Sequence, residues 1–113
     1  MNNYERRVIN EVVSLDNIVW WYRIIDRKGF VINGFINHYP DFVVKTQKGK
    51  IVMIETKADF LDGSDSRQKI YLGRKWMFMA GDKYRYFMVF EHKDFNEDGA
   101  YTLDDFIPIL KNL

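Results

Sequence analysis

The segment that decides the fold is HYPDFVVKTQKGKIVMIETK, residues 38–57. It contains two apolar runs, residues 42–44 and 51–54, which a short polar stretch separates. Apolar, β-branched runs of this length are typical of strands that are buried on both faces. Gly49 can adopt the left-handed conformation that ends a three-residue hairpin loop. The segment therefore predicts an antiparallel hairpin with its loop at residues 47–49.

The length of the loop determines which side chains share a face of the hairpin. A three-residue loop, counted back along both strands, sets Asp41 opposite Glu55. Lys57 lies on the same face as Glu55, because side chains alternate along a strand. A two-residue loop would set Asp41 opposite Thr56 and send Glu55 to the other face. The first register brings two carboxylates and one ammonium together.

Two neighbouring carboxylates point to a metal site. They repel each other at neutral pH unless one is protonated or a cation lies between them. Mg²⁺ prefers oxygen ligands and usually binds one or two protein carboxylates together with waters and phosphate oxygens. A nearby ammonium can orient or deprotonate a water for attack on a phosphodiester. The alternative is a surface hairpin that ends in a Glu–Lys ion pair, and the apolar character of both strands favours the metal site.

Two short motifs in the hairpin resemble the PD-(D/E)xK, or restriction endonuclease-like, nuclease superfamily: Pro40-Asp41 and Glu55-Thr56-Lys57. A wider similarity to the C-terminal endonuclease domain of type III restriction enzyme restriction subunits covers four segments: residues 4–5, 20–23, 39–44 and 54–58. The resemblance implies an α/β fold of three layers, α/β/α, with a central mixed sheet. It also implies an endonuclease that hydrolyses DNA phosphodiester bonds with Mg²⁺, for which Mn²⁺ can substitute.

The resemblance also assigns roles to individual residues. Asp41 and Glu55 would bind the metal, helped by the main-chain carbonyl of Thr56. Lys57 would position or deprotonate the attacking water, and Glu5 would act on the metal through water. Four polar side chains after the second strand would contact double-stranded DNA: Arg67, Gln68, Lys69 and Arg74. The alternatives are that Glu5 complements the dipole of the first helix and that the other four form a solvated helix face.

A complete type III restriction subunit also carries an ATP-driven motor. This sequence has no G-x-x-x-x-G-K-[ST] segment, which such a motor needs to hold nucleotide phosphates. We therefore expect an excised nuclease domain, or a small relative that acts with helicase, translocase or methyltransferase subunits or domains. Because one active site cuts one strand, a double-strand break would need a homodimer or a second, separate cleavage of the other strand.

Length and composition limit the class of protein. The 113 residues predict a single domain, residues 1–113, and 47% of them are apolar, which excludes a disordered chain. There is no cysteine, which excludes thiolate metal sites and is compatible with the cytoplasm. No apolar run approaches membrane length. The net charge is only +1, but residues 66–86 carry six basic side chains against one acid, and residues 91–105 carry six acids against one lysine.

Periodicity and turn residues predict five further elements: a helix over residues 3–15, a strand over 18–25, a helix over 66–80, a strand over 83–91 and a terminal helix from 102 or 104 to 113. One of residues 64–66 would cap the second helix, and Pro108 would weaken or kink the last one. Residues 77–79 are predicted to pack rather than to form a cofactor site. The strand over 83–91 is expected to lie parallel to the second hairpin strand, with the helix as crossover. An apolar run over residues 30–36 predicts a short strand or an irregular crossing.

A second metal motif competes with the first. Residues 94–105 match much of the EF-hand calcium loop, with Asp94, Asn96 and Asp98 at positions one, three and five and Gly99 at position six. Position twelve is Asp105, a shorter acid than the usual glutamate. A calcium-stabilised interaction domain is therefore one alternative function, although a polar turn before a helix explains the same residues. Another alternative is an inactive nuclease-fold module that binds DNA or protein.

Overall fold

The computed structural model describes residues 2–24, 40–57, 63–92 and 97–113. The run predicted at residues 30–36 lies outside these residues, and so do positions one and three of the calcium loop, Asp94 and Asn96. The described chain forms eight elements in this order: α1 (Asn3–Val13), β1 (Ile18–Arg23), β2 (Phe42–Thr46), β3 (Ile51–Lys57), α2 (Gly63–Ala80), β4 (Tyr84–Phe90), β5 (Ala100–Thr102) and α3 (Leu103–Lys111).

The described strands form a mixed sheet in the order β1-β2-β3-β4-β5. β1, β2 and β3 are antiparallel neighbours, whereas β3, β4 and β5 run parallel. The parallel pair β3–β4 needs a long crossover, and α2 supplies it as predicted. α1 and α3 pack on one face of the sheet and α2 on the other. The predicted α/β fold, with three α/β/α layers and a central mixed sheet, is confirmed.

The β2–β3 hairpin has the predicted three-residue loop. Gly49 has a φ of +90°, and its N–H donates to the Thr46 carbonyl at 2.9 Å. The strands pair Phe42 with Ile54, and the next position outward sets Asp41 opposite Glu55. The register that unites the two carboxylates is therefore confirmed, and the two-residue loop is excluded.

The pleat of β3 decides which helix layer the candidate site faces. Ile54 packs with α1 and α3, whereas Met53 packs with α2. Glu55 follows Met53 by two residues, so its side chain lies on the α2 face. On the opposite face α1 buries an apolar stripe that includes Val8 and Val12. The site therefore lies between the sheet and α2.

The N-terminus of α2 differs from the prediction. The helix begins at Gly63, so residues 64–66 lie within its first turn and the prediction that one of them is the N-cap is wrong. Ser66, the last residue of this turn, is buried and packs inside the protein. Tertiary packing of a turn outweighs the preference of serine and aspartate for a cap position.

The C-terminal half of α2 also differs from the prediction. Phe78 and Met79 are 71% and 78% exposed, so the prediction that they pack is wrong for both. Successive residues on a helix are rotated by about 100°. Leu72 and Trp76 meet the sheet, and this rotation turns Phe78 away from it.

The end of the chain contains a short strand that the sequence does not predict. Ala100 pairs with Met88, and the Met88 N–H donates to the Gly99 carbonyl at 2.8 Å. α3 then begins at Leu103, and the Thr102 hydroxyl caps it by accepting a hydrogen bond from the Asp105 N–H at 3.3 Å. Pro108 lies inside α3, which continues beyond it to Lys111.

In the part of the chain that the structure describes, no helix combines the length and the apolar character that crossing a membrane requires.

Candidate functional site

Asp41 lies directly before β2 and is held by both its main chain and its side chain. Its carbonyl accepts a hydrogen bond from the Ile24 N–H at 2.9 Å, which ties it to the end of β1. Its Oδ2 atom accepts two hydrogen bonds from Thr56, from the N–H and from the hydroxyl, each at 2.7 Å. The carboxylate orientation is thus fixed by a residue of the neighbouring strand, because two short charge-assisted bonds meet at one oxygen.

Glu55 is buried beside Asp41, with 5% of its surface exposed. Burial raises the pKa of Glu55 well above its ordinary value, and the negative charge of Asp41 and a hydrogen bond between the two carboxyl groups raise it further. Lys69 and Lys57 act in the opposite direction but do not offset these effects. The pair therefore favours a shared proton or a bound cation.

Two lysines approach the carboxylate pair from different elements. Lys57 follows Glu55 by two residues on β3 and lies on the same face, half-buried. Lys69 reaches in from α2, and its Nζ atom lies 3.4 Å from Glu55 Oε2. The site thus combines two acids with two ammonium groups.

Tyr86 is fully buried on the same side of the sheet. Its strand partner is Met53, so its ring lies diagonally beside Glu55. Burial raises the pKa of Tyr86 well above its ordinary value, and the charges of Glu55 and Asp41 add to the shift. Gly73 of α2 lies against this ring, and a Cβ at that position would overlap it. The helix therefore approaches the sheet closely beside the carboxylate pair.

Glu5, the fourth predicted catalytic residue, makes its described contacts outside the carboxylate pair. Its N–H donates to Asn2 Oδ1 at 2.8 Å, and its Oε1 atom accepts from the Asn2 N–H at 3.3 Å, which forms a capping box. Its Oε2 atom lies 3.8 Å from Arg23 Nη2. Glu5 thus lies in the first turn of α1 and caps it, and its action on a metal stays a prediction.

The four predicted DNA-contact residues do not form one row. Lys69 turns toward Glu55, whereas Arg67 pairs with Glu97 at 3.7 Å. The Arg74 guanidinium lies 5.5 Å from the centroid of the Phe78 ring. Gln68 is exposed. Contact of these residues with DNA stays a prediction.

The carboxylate pair has the donor set of a small, hard cation. Among the described residues no group of three or more His, Cys, Asp or Glu side chains converges on one point. An ion bound by Asp41 and Glu55 would therefore complete its shell with a main-chain carbonyl and water. Mg²⁺ is commonly bound by so few carboxylates, and the adjacent Asp41 and buried Glu55 fit it.

Three features of the site were not found by sequence reasoning. The Thr56 side chain orients Asp41, Lys69 forms an ion pair with Glu55, and Tyr86 underlies the pair. The hydroxyl of Thr56, next to an acid in an apolar strand, was a usable signal. The other two contacts join residues far apart in the chain, for which the sequence holds no local signal.

Comparisons of the chain with protein-family models, with curated proteins and with solved structures find no match.

Proposed function

We propose that this protein is a Mg²⁺-dependent endonuclease of the PD-(D/E)xK type, which hydrolyses DNA phosphodiester bonds. The observation that supports the proposal is the apposition of Asp41 with the buried Glu55. Two carboxyl groups in this position are unfavourable for folding unless they bind a proton or a cation. Their place beside Lys57 matches the residues that resemble the type III restriction endonuclease domain.

Each residue of the site would have a distinct role in catalysis. Asp41 and Glu55, with the main-chain carbonyl of Thr56, hold Mg²⁺ or Mn²⁺. When bound, the metal supplies a Lewis acid that stabilises negative charge on the phosphate and lowers the pKa of water. Lys57 orients the attacking water and stabilises the charge that develops on the phosphate oxygens. By resemblance, the products carry a 5′-phosphate and a 3′-hydroxyl.

The cellular location and the partners of the nuclease are part of the same proposal. The nuclease would act in the cytoplasm with helicase, translocase or methyltransferase subunits or domains. Cleavage of both strands of double-stranded DNA would need a homodimer or two successive nicks.

A second candidate function is a catalytically inactive nuclease-fold module that binds DNA or protein. The ion pair between Lys69 and Glu55 favours it, because an ammonium already balances one carboxylate without a metal. Calorimetry separates the two candidates. An active site binds Mn²⁺ in a way that Asp41→Asn abolishes, whereas an inactive module gives no binding that depends on Asp41.

The direct test is nicking of supercoiled plasmid DNA by the purified protein. We expect nicking with Mg²⁺ that stops with EDTA, and a loss of roughly a hundred-fold or more in Asp41→Asn and Lys57→Ala. Lys83→Ala is the control, because Lys83 is exposed and precedes β4 outside the site. Circular dichroism should show that all three variants remain folded. Unchanged cutting by Lys57→Ala would rule out this mechanism.

A further inference from the structure

The outer face of α2 carries a groove with a volume of about 670 Å³. Six of its lining residues fall into two chemical classes, cations and large apolar side chains: Arg67, Arg74, Lys75, Tyr71, Phe78 and Met79. Neither Asp41 nor Glu55 is part of its described lining, so the groove is separate from the carboxylate pair.

The apolar side chains of this groove are unusually exposed. Tyr71 is 56% exposed, and Phe78 and Met79 are more exposed still. Tyr71, Arg74 and Phe78 follow one another at intervals of three and four residues, so they form one row along the helix. Ile70 is buried beneath them and packs with the sheet. The helix thus presents an apolar surface to solvent, and buried Ile70 forms the base of the groove.

The charge of the groove is positive. Arg67, Arg74 and Lys75 line it against a single described carboxylate, that of Glu97, which pairs with Arg67. The Arg74 guanidinium lies over the Phe78 ring, an arrangement that leaves a flat cation beside a flat apolar face. A ligand that fits this surface carries negative charge and flat apolar rings.

We propose that this groove binds an unpaired DNA strand. Tyr71 and Phe78 would stack on bases, while Arg74 and Lys75 would contact phosphates. The basic side chains alone would bind the phosphates of double-stranded DNA equally well. The exposed rings would not, because the bases of a duplex are stacked on each other and present only their edges in the grooves.

The position of the groove connects it with the candidate active site. Lys69, which reaches Glu55, precedes the groove residue Ile70 on the same turn of α2. Ile70 in turn packs with Met88, the strand partner of Glu55. If the proposed nuclease function holds, a substrate with a single-stranded flank would lie along α2 beside the bond to be cut. The binding itself does not depend on that function.

The test is fluorescence anisotropy in EDTA, where no metal is bound and no cleavage occurs. The probes are a labelled oligothymidylate of about 15 nucleotides and a duplex of equal length, since OB-fold domains that bind single strands cover about 4–16 nucleotides each. We expect tighter binding of the single strand. Tyr71→Ala and Phe78→Ala should each raise its Kd by about five-fold or more, the effect of losing one stacked base.

Matched variants make the test specific to the rings. Tyr71→Phe keeps the ring and should keep the affinity. Tyr22→Ala removes a tyrosine of similar exposure, 50%, from β1 on the far edge of the sheet and should leave the affinity unchanged. Arg74→Gln should reduce the salt dependence of binding, because each phosphate contact on a single strand contributes a slope of about 0.7.

Two outcomes would overturn the proposal. One is an unchanged Kd in both Tyr71→Ala and Phe78→Ala. The other is self-association that Phe78→Asp abolishes without any change in oligonucleotide binding, which would make the groove a protein interface. A protein that binds the strand through these rings but never cuts DNA contradicts the nuclease function alone, so the two proposals fail separately.

Discussion

At the scale of single residues, the Glu55 carboxyl group lies between one anion and two cations. Burial and Asp41 favour its neutral form, while Lys69 and Lys57 favour its charged form. The first pair of effects is the larger, so the pKa of Glu55 is raised although Lys69 Nζ lies 3.4 Å from its Oε2 atom. A divalent cation would reverse this preference, because it favours both carboxylates in their charged form.

The raised pKa of Glu55 predicts how stability depends on pH. The folded state binds the Glu55 proton more tightly than the unfolded chain does, so protonated Glu55 contributes to the free energy of unfolding. This contribution is complete below the ordinary pKa of 4.5. It is lost as the pH rises through the pKa of the folded state. We expect urea unfolding in EDTA to show a stability that falls as the pH rises above the ordinary value of 4.5. Glu55→Gln, which cannot ionise, should flatten the decline.

Asp82→Asn is the control for this measurement. Asp82 is an exposed acid before β4, and its replacement removes one charge without touching the carboxylate pair. It should leave the decline in place. A decline that is equally steep in Glu55→Gln would show that another group causes it.

At the scale of elements, the hairpin could be predicted because its geometry is local. The glycine at position 49 and the two apolar runs beside it specify the loop, the register and thereby the apposition of Asp41 with Glu55. The strand β5 could not be predicted, because its three residues have no pattern of their own. It forms because β4 offers main-chain partners, for example at Met88.

The orientation of α2 could not be predicted for a related reason. Its apolar and basic residues are spread around the helix, so periodicity does not show which side meets the sheet. The exposure of Phe78 and the contact of Lys69 with Glu55 both follow from that orientation. The sequence of one hairpin was enough to predict that Asp41, Glu55 and Lys57 lie together. The contact of the second lysine, Lys69, could be found only from the packed structure.

The close approach of α2 to the sheet predicts an unusual response at Gly73. Glycine-to-alanine substitution inside a helix normally stabilises a protein by roughly 1 kcal/mol. Here the added methyl group would overlap the Tyr86 ring. We expect Gly73→Ala to destabilise the protein by about 1–3 kcal/mol in urea unfolding, the usual effect of overpacking.

A double-mutant cycle gives the control for Gly73. Tyr86→Leu removes the ring and leaves space above Gly73. In that background Gly73→Ala should lose its penalty, because the clash has gone. The same loss of stability in both backgrounds would mean that the methyl group meets something other than Tyr86.

At the scale of the whole molecule, the fold joins two binding surfaces through one helix. The carboxylate pair lies between α2 and the sheet, and the basic groove lies on the outer side of α2. The sequence-level contrast between the basic segment, residues 66–86, and the acidic segment, residues 91–105, is partly resolved in space, since Arg67 pairs with Glu97. The two segments therefore meet at the groove, where Glu97 offsets part of its positive charge.

Binding of a divalent cation should be visible as global stability. The site exists in the folded chain alone, so an ion at 100 times its Kd adds about 2.7 kcal/mol to the free energy of unfolding. For a domain of this size that corresponds to a rise in melting temperature of roughly 10 °C. We expect Mn²⁺ at pH 8 to produce such a rise in the wild type and in Asp82→Asn. Neither Asp41→Asn nor Glu55→Gln should show it, because each removes one of the two carboxylates. A rise with calcium that persists in Asp41→Asn would instead place the ion outside the hairpin site and favour the loop at residues 94–105.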